Sequence, residues 1–334
     1  MSEVRRDIVT DTWVIVRTEP VEPAPGGSAA TPGVCPFCAG REAMTPPEVT
    51  AVRQGSRPNE PGWRVRVVPD RNPVLRIEGE LLRSGVGIHD RVTGIGANEV
   101  VIESPEHVTN FADLSEAQIE LVLRTWQERL VDLYRDKRFR YVLVFKDHGT
   151  LAGSSNIEHV HSQVIALPAT PRRVKDQLAG ARSYYEYKER CIYCDILQDE
   201  LANGSRVLET TAHFAVFAPY ASRLPYELRI CPRRHLFSYA EASREELSDL
   251  APVLRRTIGR LYRTLADPPF NIVLHTAPNL LPQRGYWQTV REDYHWFIEV
   301  IPRVKRTDGF EWGSGFFINP VAPERAVEKL KEVS

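Results

Sequence analysis

Two imidazoles and a carboxamide alternate in His159-Val160-His161-Ser162-Gln163, which lies between a small-residue run, Gly153-Ser154-Ser155-Asn156, and the apolar Val164-Ile165-Ala166-Leu167. On an extended chain, side chains two residues apart share a face, so His159, His161 and Gln163 project together. That set suits phosphate chemistry: an imidazole nucleophile, a second imidazole supporting it, and an uncharged amide donor for a phosphoryl oxygen. A neutral imidazole attacks phosphorus near pH 7, and the phosphoramidate it forms is reactive enough to be discharged again. Small residues at Gly153, Ser154 and Ser155 let backbone N–H groups come close to phosphate. A polar edge strand with two incidental histidines is the alternative that this motif alone leaves open.

The elements that must position this set are written twice. The chain holds five cysteines, four of them in two pairs, Cys35-Pro-Phe-Cys38 and Cys191-Ile-Tyr-Cys194. After the first pair, a strand at Asn98-Glu-Val-Val-Ile-Glu103 leads to Pro105-Glu106-His107. After the second, a strand at Tyr226-Glu-Leu-Arg-Ile-Cys231 leads to Pro232-Arg-Arg-His235. A helix follows in each, opened by Ser115-Glu-Ala-Gln118 or Ser243-Arg-Glu-Glu246 with the spacing of a capping box. Leu121, Val122, Trp126, Leu130 and Leu133 then recur at helical spacing, as do Leu247, Leu250, Leu254, Ile258 and Leu261. Each helix feeds a hydrophobic strand, Tyr141–Phe145 or Phe270–Leu274, and each copy closes on histidine, His159-Val-His161 or His295-Trp-Phe297. The expected fold class is α+β: two copies of one unit, antiparallel strands with a long helix in each, packed side by side.

The repeat aligns His159 with His295 and His161 with Phe297. What both copies keep is a set of two thiols and two imidazoles: Cys35, Cys38, His107 and His159, then Cys191, Cys194, His235 and His295. Each is a closed tetrahedral set for zinc, expected to be structural because no position is left for water. Redox dithiols or merely buried thiols are the alternatives. His161, present in the first copy only, is the candidate for chemistry. Cys231 reads as a core thiol, His148 and His275 as core or pocket-wall residues, and His89 as solvated. A polar, basic connector between Pro168 and Ser183 marks the boundary, and 20–33 reads as a flexible loop.

The 334 residues suffice for one large domain or two ordinary ones, with 42% hydrophobic and 26% charged residues. With 43 basic against 44 acidic residues the net charge is -1, so neither nucleic acid nor an anionic membrane is attracted globally. No apolar run approaches membrane-spanning length, and Met1-Ser-Glu-Val-Arg-Arg6 lacks the apolar core of a secretory signal. A cytoplasmic enzyme is expected.

Along nearly its whole length the chain resembles the galactose-1-phosphate uridylyltransferase family of the histidine-triad superfamily. The resemblance is carried by Cys35-Pro-Phe-Cys38 with Thr45-Pro-Pro-Glu48, Arg66-Val-Val-Pro-Asp70 with Pro73, Phe145-Lys146, Gly153-Ser-Ser155, the His-x-His-x-Gln core, and Gly309-Phe-Glu-Trp-Gly-Ser-Gly-Phe-Phe-Ile-Asn-Pro320. It implies a duplicated histidine-triad-like unit, residues 1–170 carrying the nucleophile and 183–334 forming a degenerate second copy. It further implies a ping-pong nucleotidyl transfer in which His161 attacks the α-phosphorus of a nucleotide sugar and Gln163 donates to the phosphoryl oxygens. Asp70 and Asn72 would then contact the nucleotide, beside the phosphate loop at Gly153, Ser154 and Ser155. By charge alone Arg66, alternating with Arg64 on one strand, suits either phosphate contact or ordinary surface charge, and Lys146 either adds a positive charge at the phosphates or is a solvated strand-end lysine. Glu311, Ser314, Phe317 and Asn319 would contact the sugar, often from a partner subunit, and a homodimer is expected. Two structural zinc ions per chain complete the picture.

Three departures bear on the substrate. Val160 replaces a frequent proline, Asp70 and Asp147 stand where asparagine is frequent, and His295-Trp-Phe297 replaces a second His-x-His. With the second Cys-x-x-Cys, these features resemble the ADP-glucose phosphorylase branch, which transfers an adenylyl group to phosphate. Uridylyl transfer to a hexose 1-phosphate is the preferred reading, with a nucleotide-sugar or dinucleotide phosphorylase as its alternative. A zinc-stabilised nucleotide-binding protein without catalysis is the reading from another class; retention of His161 and Gln163 argues against it. A simple histidine-triad hydrolase would carry a third histidine where this chain has Gln163.

Overall fold

A computed structural model describes residues 2–17, 34–154, 157–280 and 288–333. The expected loop at 20–33 and the candidate phosphate-binding residue Ser155 lie outside them. The first part runs β1 (Ser2–Arg6), β2 (Trp13–Arg17), β3 (Thr50–Arg53), β4 (Trp63–Pro69), β5 (Arg83–Val86), β6 (His89–Thr93), β7 (Ala97–Ile102), α1 (Glu116–Leu133), β8 (Tyr141–His148) and β9 (His161–Leu167). The rest runs α2 (Arg172–Lys188), α3 (Ile192–Asn203), β10 (Val207–Thr210), β11 (Phe214–Phe217), β12 (Leu228–Pro232), α4 (Arg244–Leu265), β13 (Phe270–His275), α5 (Val290–Asp293), β14 (Phe297–Pro302), α6 (Gly309–Ser314) and α7 (Pro323–Lys331).

Ten strands form one antiparallel sheet in the order β10-β11-β12-β14-β13-β8-β9-β7-β4-β3, and β2-β1-β6-β5 form a second. The ten-strand order is symmetric about the β8–β13 pair, five strands on each side. The duplication therefore packs side by side as one continuous sheet, joined where Ile272 faces Lys146 and Leu274 faces Val144.

One face of that sheet carries α1 and α4 lying against each other. Their apolar stripes, with Trp126 and Leu130 on one and Leu250, Leu254 and Ile258 on the other, share a core with Val144, Val164, Ile272 and Val300. Strands β7 and β14 are buried throughout, which is why they read as near-continuous apolar runs. The opposite face carries the cysteine segments: Phe37 packs on Trp63, Val100 and Ile102, and Leu197 of α3 on Phe217, Cys231 and Phe297.

Two expectations change. The connector after Pro168 is helical, because Val174, Leu178 and Ala181 of α2 find apolar partners and are buried. Ser243 and Glu246 close a full capping box, whereas Ser115 caps α1 alone. Gln118 turns its amide instead to the carbonyls of Arg64 and Glu103, each at 2.7 Å, the second of them buried. Among the described residues no helix is long and apolar enough to cross a membrane.

Candidate active site

Both histidines that open the last strand of each copy lie just before it, at His159 and His295. The four ligand atoms of Cys35, Cys38, His107 and His159 lie within 4.8 Å of one another, as do those of Cys191, Cys194, His235 and His295. His159 Nδ1 is 3.5 Å from Cys35 Sγ and 3.7 Å from Cys38 Sγ, and His107 Nδ1 is 3.6 Å from Cys38 Sγ. In the second set Cys194 Sγ lies 3.3 Å from His235 Nδ1 and 3.5 Å from His295 Nδ1. A tetrahedral zinc bonded to thiolate at about 2.3 Å and imidazole at about 2.0 Å separates S and N by about 3.6 Å. Both sets fit a metal ion in spacing and in chemistry.

The outward nitrogens fit as well. A carbonyl oxygen only accepts, so His159 Nε2–H donates to Ser104 O (2.8 Å), His235 to Arg291 O (2.8 Å) and His295 to Pro232 O (3.0 Å). Each Nδ1 lone pair is thereby aimed at the cysteines.

Position His161 follows from the same logic. It is the first residue of β9, paired with Ile102, and its ring meets Phe37 edge-on at 5.3 Å. Its Nδ1–H donates to the carbonyl of His159 at 2.7 Å, which leaves Nε2 as the nitrogen with a lone pair. Burial first, and the Lys146 charge second, push this imidazole down to about 4, so it is neutral at pH 7. A metal ion held by His159 would thus fix the carbonyl that fixes the tautomer of His161.

Beside His161 lies a cavity of about 340 Å³ whose wall includes Lys146, Asp147, His148 and Ser154, with Tyr262 and Asp267 reaching in from the second copy. Lys146 is buried, not exposed as a strand-end lysine would be. Its Nζ donates to Glu103 Oε2 (2.6 Å) and to the carbonyl of His161 (2.8 Å). Asp147 accepts from Asn271 Nδ2 at 2.6 Å, and burial pushes its carboxyl up. Gly149 turns with φ 78°, and a Cβ there would sit 2.8 Å from Pro269 Cβ, so glycine lets the pocket loop rest on the second copy. Gly153 ends that turn at φ 95°. Gln163 follows two residues along β9 on the face of His161, half-buried and outside the cavity wall.

The other candidates are dispersed. Arg66 is 1% exposed and held by Glu48 (3.1 Å), Thr45 (2.7 Å) and Asn59 (3.2 Å), a buried ion pair and not a pocket residue. Asp70 accepts from the backbone of the exposed Asn72 at 2.9 Å and from Asn98 at 3.3 Å. Glu311 caps α6, and its carboxylate is taken up by Lys305 and by the N–H groups of Asp308 and Ile318. Asn319 donates to Ser222 and Leu224 carbonyls, Ser314 to that of Phe310, and Arg223 lies over the ring of Phe317. Within the chain this segment packs on the second copy, away from the cavity. Cys231 is a core thiol pushed up to about 12 by burial.

Sequence reasoning missed Phe37, Glu103, Tyr262 and Asp267. Phe37 is one of the two residues that the Cys-x-x-Cys pattern leaves unspecified, and Tyr262 and Asp267 sit at a helix end more than a hundred positions from His161, with no motif around them.

Residues 89–171 match the family model for galactose-1-phosphate uridyl transferase, N-terminal domain. Over 341 residues the chain is 31% identical to an ADP-glucose phosphorylase of Arabidopsis thaliana, covering 99% of this chain and 93% of that protein. The chain belongs to the galactose-1-phosphate uridylyltransferase family. A galactose-1-phosphate uridylyltransferase of Thermotoga maritima is 28% identical over 99% of this chain and 98% of its own. The crystal structure of an ADP-glucose phosphorylase from Arabidopsis thaliana with bound ADP-glucose superimposes with a TM-score of 0.78 at 29% identity over 100% of both chains. As a member of this uridylyltransferase family the chain is an enzyme, and its chemistry is nucleotidyl transfer.

Proposed function

We propose that the chain moves a nucleoside monophosphate from a nucleotide sugar to a sugar 1-phosphate or to phosphate through a covalent nucleotidyl-His161 intermediate. One observation carries the reading: Nδ1–H of His161 is engaged by the His159 carbonyl at 2.7 Å, so Nε2 is the nucleophilic nitrogen beside the cavity. Nε2 bonds to the α-phosphorus, the P–O bond to the departing sugar 1-phosphate breaks, and the acceptor phosphate later reverses these events. Gln163 donates to the phosphoryl oxygens without adding a charge that would repel them. Gly153, Ser154 and Ser155 offer backbone donors, and Asp70 and Asn72 line the nucleoside side.

Residues 1–170 and 183–334 act as the two copies of a histidine-triad-like unit in a cytoplasmic enzyme. Zinc at both Cys2His2 sets is structural, since all four ligands come from the chain. The chain works as a homodimer. In support, Phe310, Trp312 and Phe316 are 55%, 82% and 73% exposed beside Glu311, Ser314, Phe317 and Asn319, a face suited to reach a partner's sugar site.

Uridylyl transfer to a hexose 1-phosphate is one donor–acceptor pair, supported by the Thermotoga maritima relative. Adenylyl transfer from ADP-glucose to phosphate is the second, and two specific observations favour it: the 31% identical relative is an ADP-glucose phosphorylase, and Phe297 stands where the common second copy has histidine. Intact mass after mixing with UDP-glucose or ADP-glucose separates them. A uridylyl or adenylyl adduct that is absent in His161→Ala supports the reading and names the base; turnover retained in His161→Ala overturns it.

A further inference from the structure

We infer that His148, held by Asp267 and Tyr262, receives the phosphate that departs with the sugar and the phosphate that later attacks. His148 is set in the first copy as a catalytic residue, and Asp267 and Tyr262 of the second are the positioning residues that orient it. The inference rests on the nucleotidyl-transfer reading and extends it to the far side of the phosphorus.

In-line displacement places nucleophile and leaving group on opposite sides of phosphorus. A cavity with His161 on one wall therefore needs a donor elsewhere for the departing phosphate. Lys146 is committed elsewhere: its buried charge is paired with Glu103, and a second of its three N–H groups holds the His161 carbonyl on the nucleophile's own strand. His148 lines the same cavity. Its Nε2 lies 2.8 Å from Asp267 Oδ1 and 3.3 Å from the Tyr262 hydroxyl, and its ring stacks on Phe270 at 4.9 Å. Among the described residues its Nδ1 has no hydrogen-bond partner.

A carboxylate that accepts from one imidazole nitrogen fixes the ring and leaves the other nitrogen facing outward, where its N–H can donate to an anion. The turn that presents the carboxylate is itself unusual. Ala266 and Asp267 adopt φ 52° and 59°, left-handed conformations that non-glycine residues adopt at a cost of about 1 kcal/mol each. They end α4 at the wall of a pocket whose nucleophile belongs to the other copy.

In the step, Nε2 of His161 bonds to the α-phosphorus, the bond to the bridging oxygen breaks, and its electron pair stays on the sugar 1-phosphate. His148 Nδ1–H donates a hydrogen bond to that phosphate, and no proton need transfer. Discharge by the acceptor retraces the path.

The test compares two donors that differ in leaving group. Adduct formation is timed by intact mass with the nucleotide sugar that loads the wild type, and with the matching nucleoside 5′-phosphorimidazolide, which releases imidazole. His148→Ala and His148→Gln should slow loading from the nucleotide sugar about 100-fold, and from the phosphorimidazolide less than about 3-fold. Asp267→Asn should show the same selectivity with a loss of about 10-fold. Equal losses with both donors, or none with either, overturn the role of His148 while the transfer reading stands. A wild type that loads from neither donor removes the transfer reading, and this inference with it.

Discussion

The two copies present the same three positions on the same sheet face and use them in opposite ways. Gln163 faces Phe145 across β8 and β9, and Glu299 faces Val273 across β13 and β14. By that register His161, Gln163 and Asp147 correspond to Phe297, Glu299 and His275. In the first copy a cavity opens beside His161 and Asp147. In the second, Phe297 stacks on His275 at 4.5 Å with Arg229 4.3 Å above its ring. Glu299 accepts from Arg173 (2.6 Å), Arg223 (3.0 Å) and His275 (3.2 Å). One copy keeps an open cavity, whereas the other satisfies its inner-face charge with its own arginines. A duplicated scaffold can thus hold one site for chemistry and convert its twin into structure.

The sharpest way to break that contrast is to exchange the distinguishing residue. His161→Ala should lower nucleotidyl transfer by at least about 10⁴-fold, the scale of losing a nucleophile, with the fold retained by circular dichroism. Phe297→His should not create a second labelling site, because Arg229 and His275 already sandwich that position. Adduct stoichiometry by mass spectrometry checks both, and a second adduct in Phe297→His would show that the two copies differ by one side chain only.

Glu299 comes next. Burial raises its carboxyl, but His275, Arg173 and Arg223 more than reverse this and hold it well below the usual carboxylate range. Because the folded value is depressed, the stabilisation is complete above the ordinary value of 4.5 and is lost as pH falls toward the folded one. Glu299→Gln should destabilise the chain by about 3 kcal/mol at pH 7, the low end for breaking a buried pair. Arg173, whose side chain is 44% exposed, can turn to water and soften the loss. The gap to wild type should narrow below pH 4.5. Denaturant titrations at two pH values measure it, and a pH-independent gap would sink the ionic account.

The metal sets should separate by function. Cys35→Ala and Cys191→Ala should each lose roughly one zinc per chain and lower the melting temperature. Only Cys35→Ala should also reduce transfer at temperatures where both are folded, by about 10- to 100-fold, since His159 supplies the carbonyl that orients His161. Metal analysis with single-turnover loading tests this, and equal activity losses would mean that both sets act on the site.

Much of this was legible in the chain. Paired cysteines followed by Pro-x-His in one copy or Pro-x-x-His in the other, and then a histidine strand, predict both Cys/His sets, because thiol and imidazole at matched places in a repeat have few other uses. The His-x-His-x-Gln alternation placed His161 and Gln163 on one face for the same reason that any strand alternates. The small sheet of β1, β2, β5 and β6 was not legible, since its strands are short and mostly solvent-facing. Arg66 and Lys146 were read by charge as contacts for phosphate. Glu48 and Glu103, which neutralise them in the interior, are matched to them only by the fold. Tyr262 and Asp267 reach the cavity because β8 pairs with β13, a long-range register that no local pattern encodes.

The mildest test concerns the helix starts, where the copies differ in a single side chain's choice. Ser243 accepts from the Glu246 N–H at 3.2 Å, and Glu246 returns a bond from the Ser243 N–H at 2.7 Å. Ser115 accepts from the Gln118 N–H at 3.2 Å with no return, because the Gln118 amide holds Arg64 and Glu103 carbonyls. Ser→Ala at either cap should cost about 1 kcal/mol. The partners should diverge. Gln118→Ala leaves two carbonyls unmatched, one of them buried beside the Lys146 anchor, and should cost about 2 kcal/mol. It should also slow transfer, whereas Ser243→Ala leaves transfer unchanged. Chemical denaturation beside loading rates decides the point: if Gln118→Ala loads like wild type, α1 positions the site through its apolar face alone.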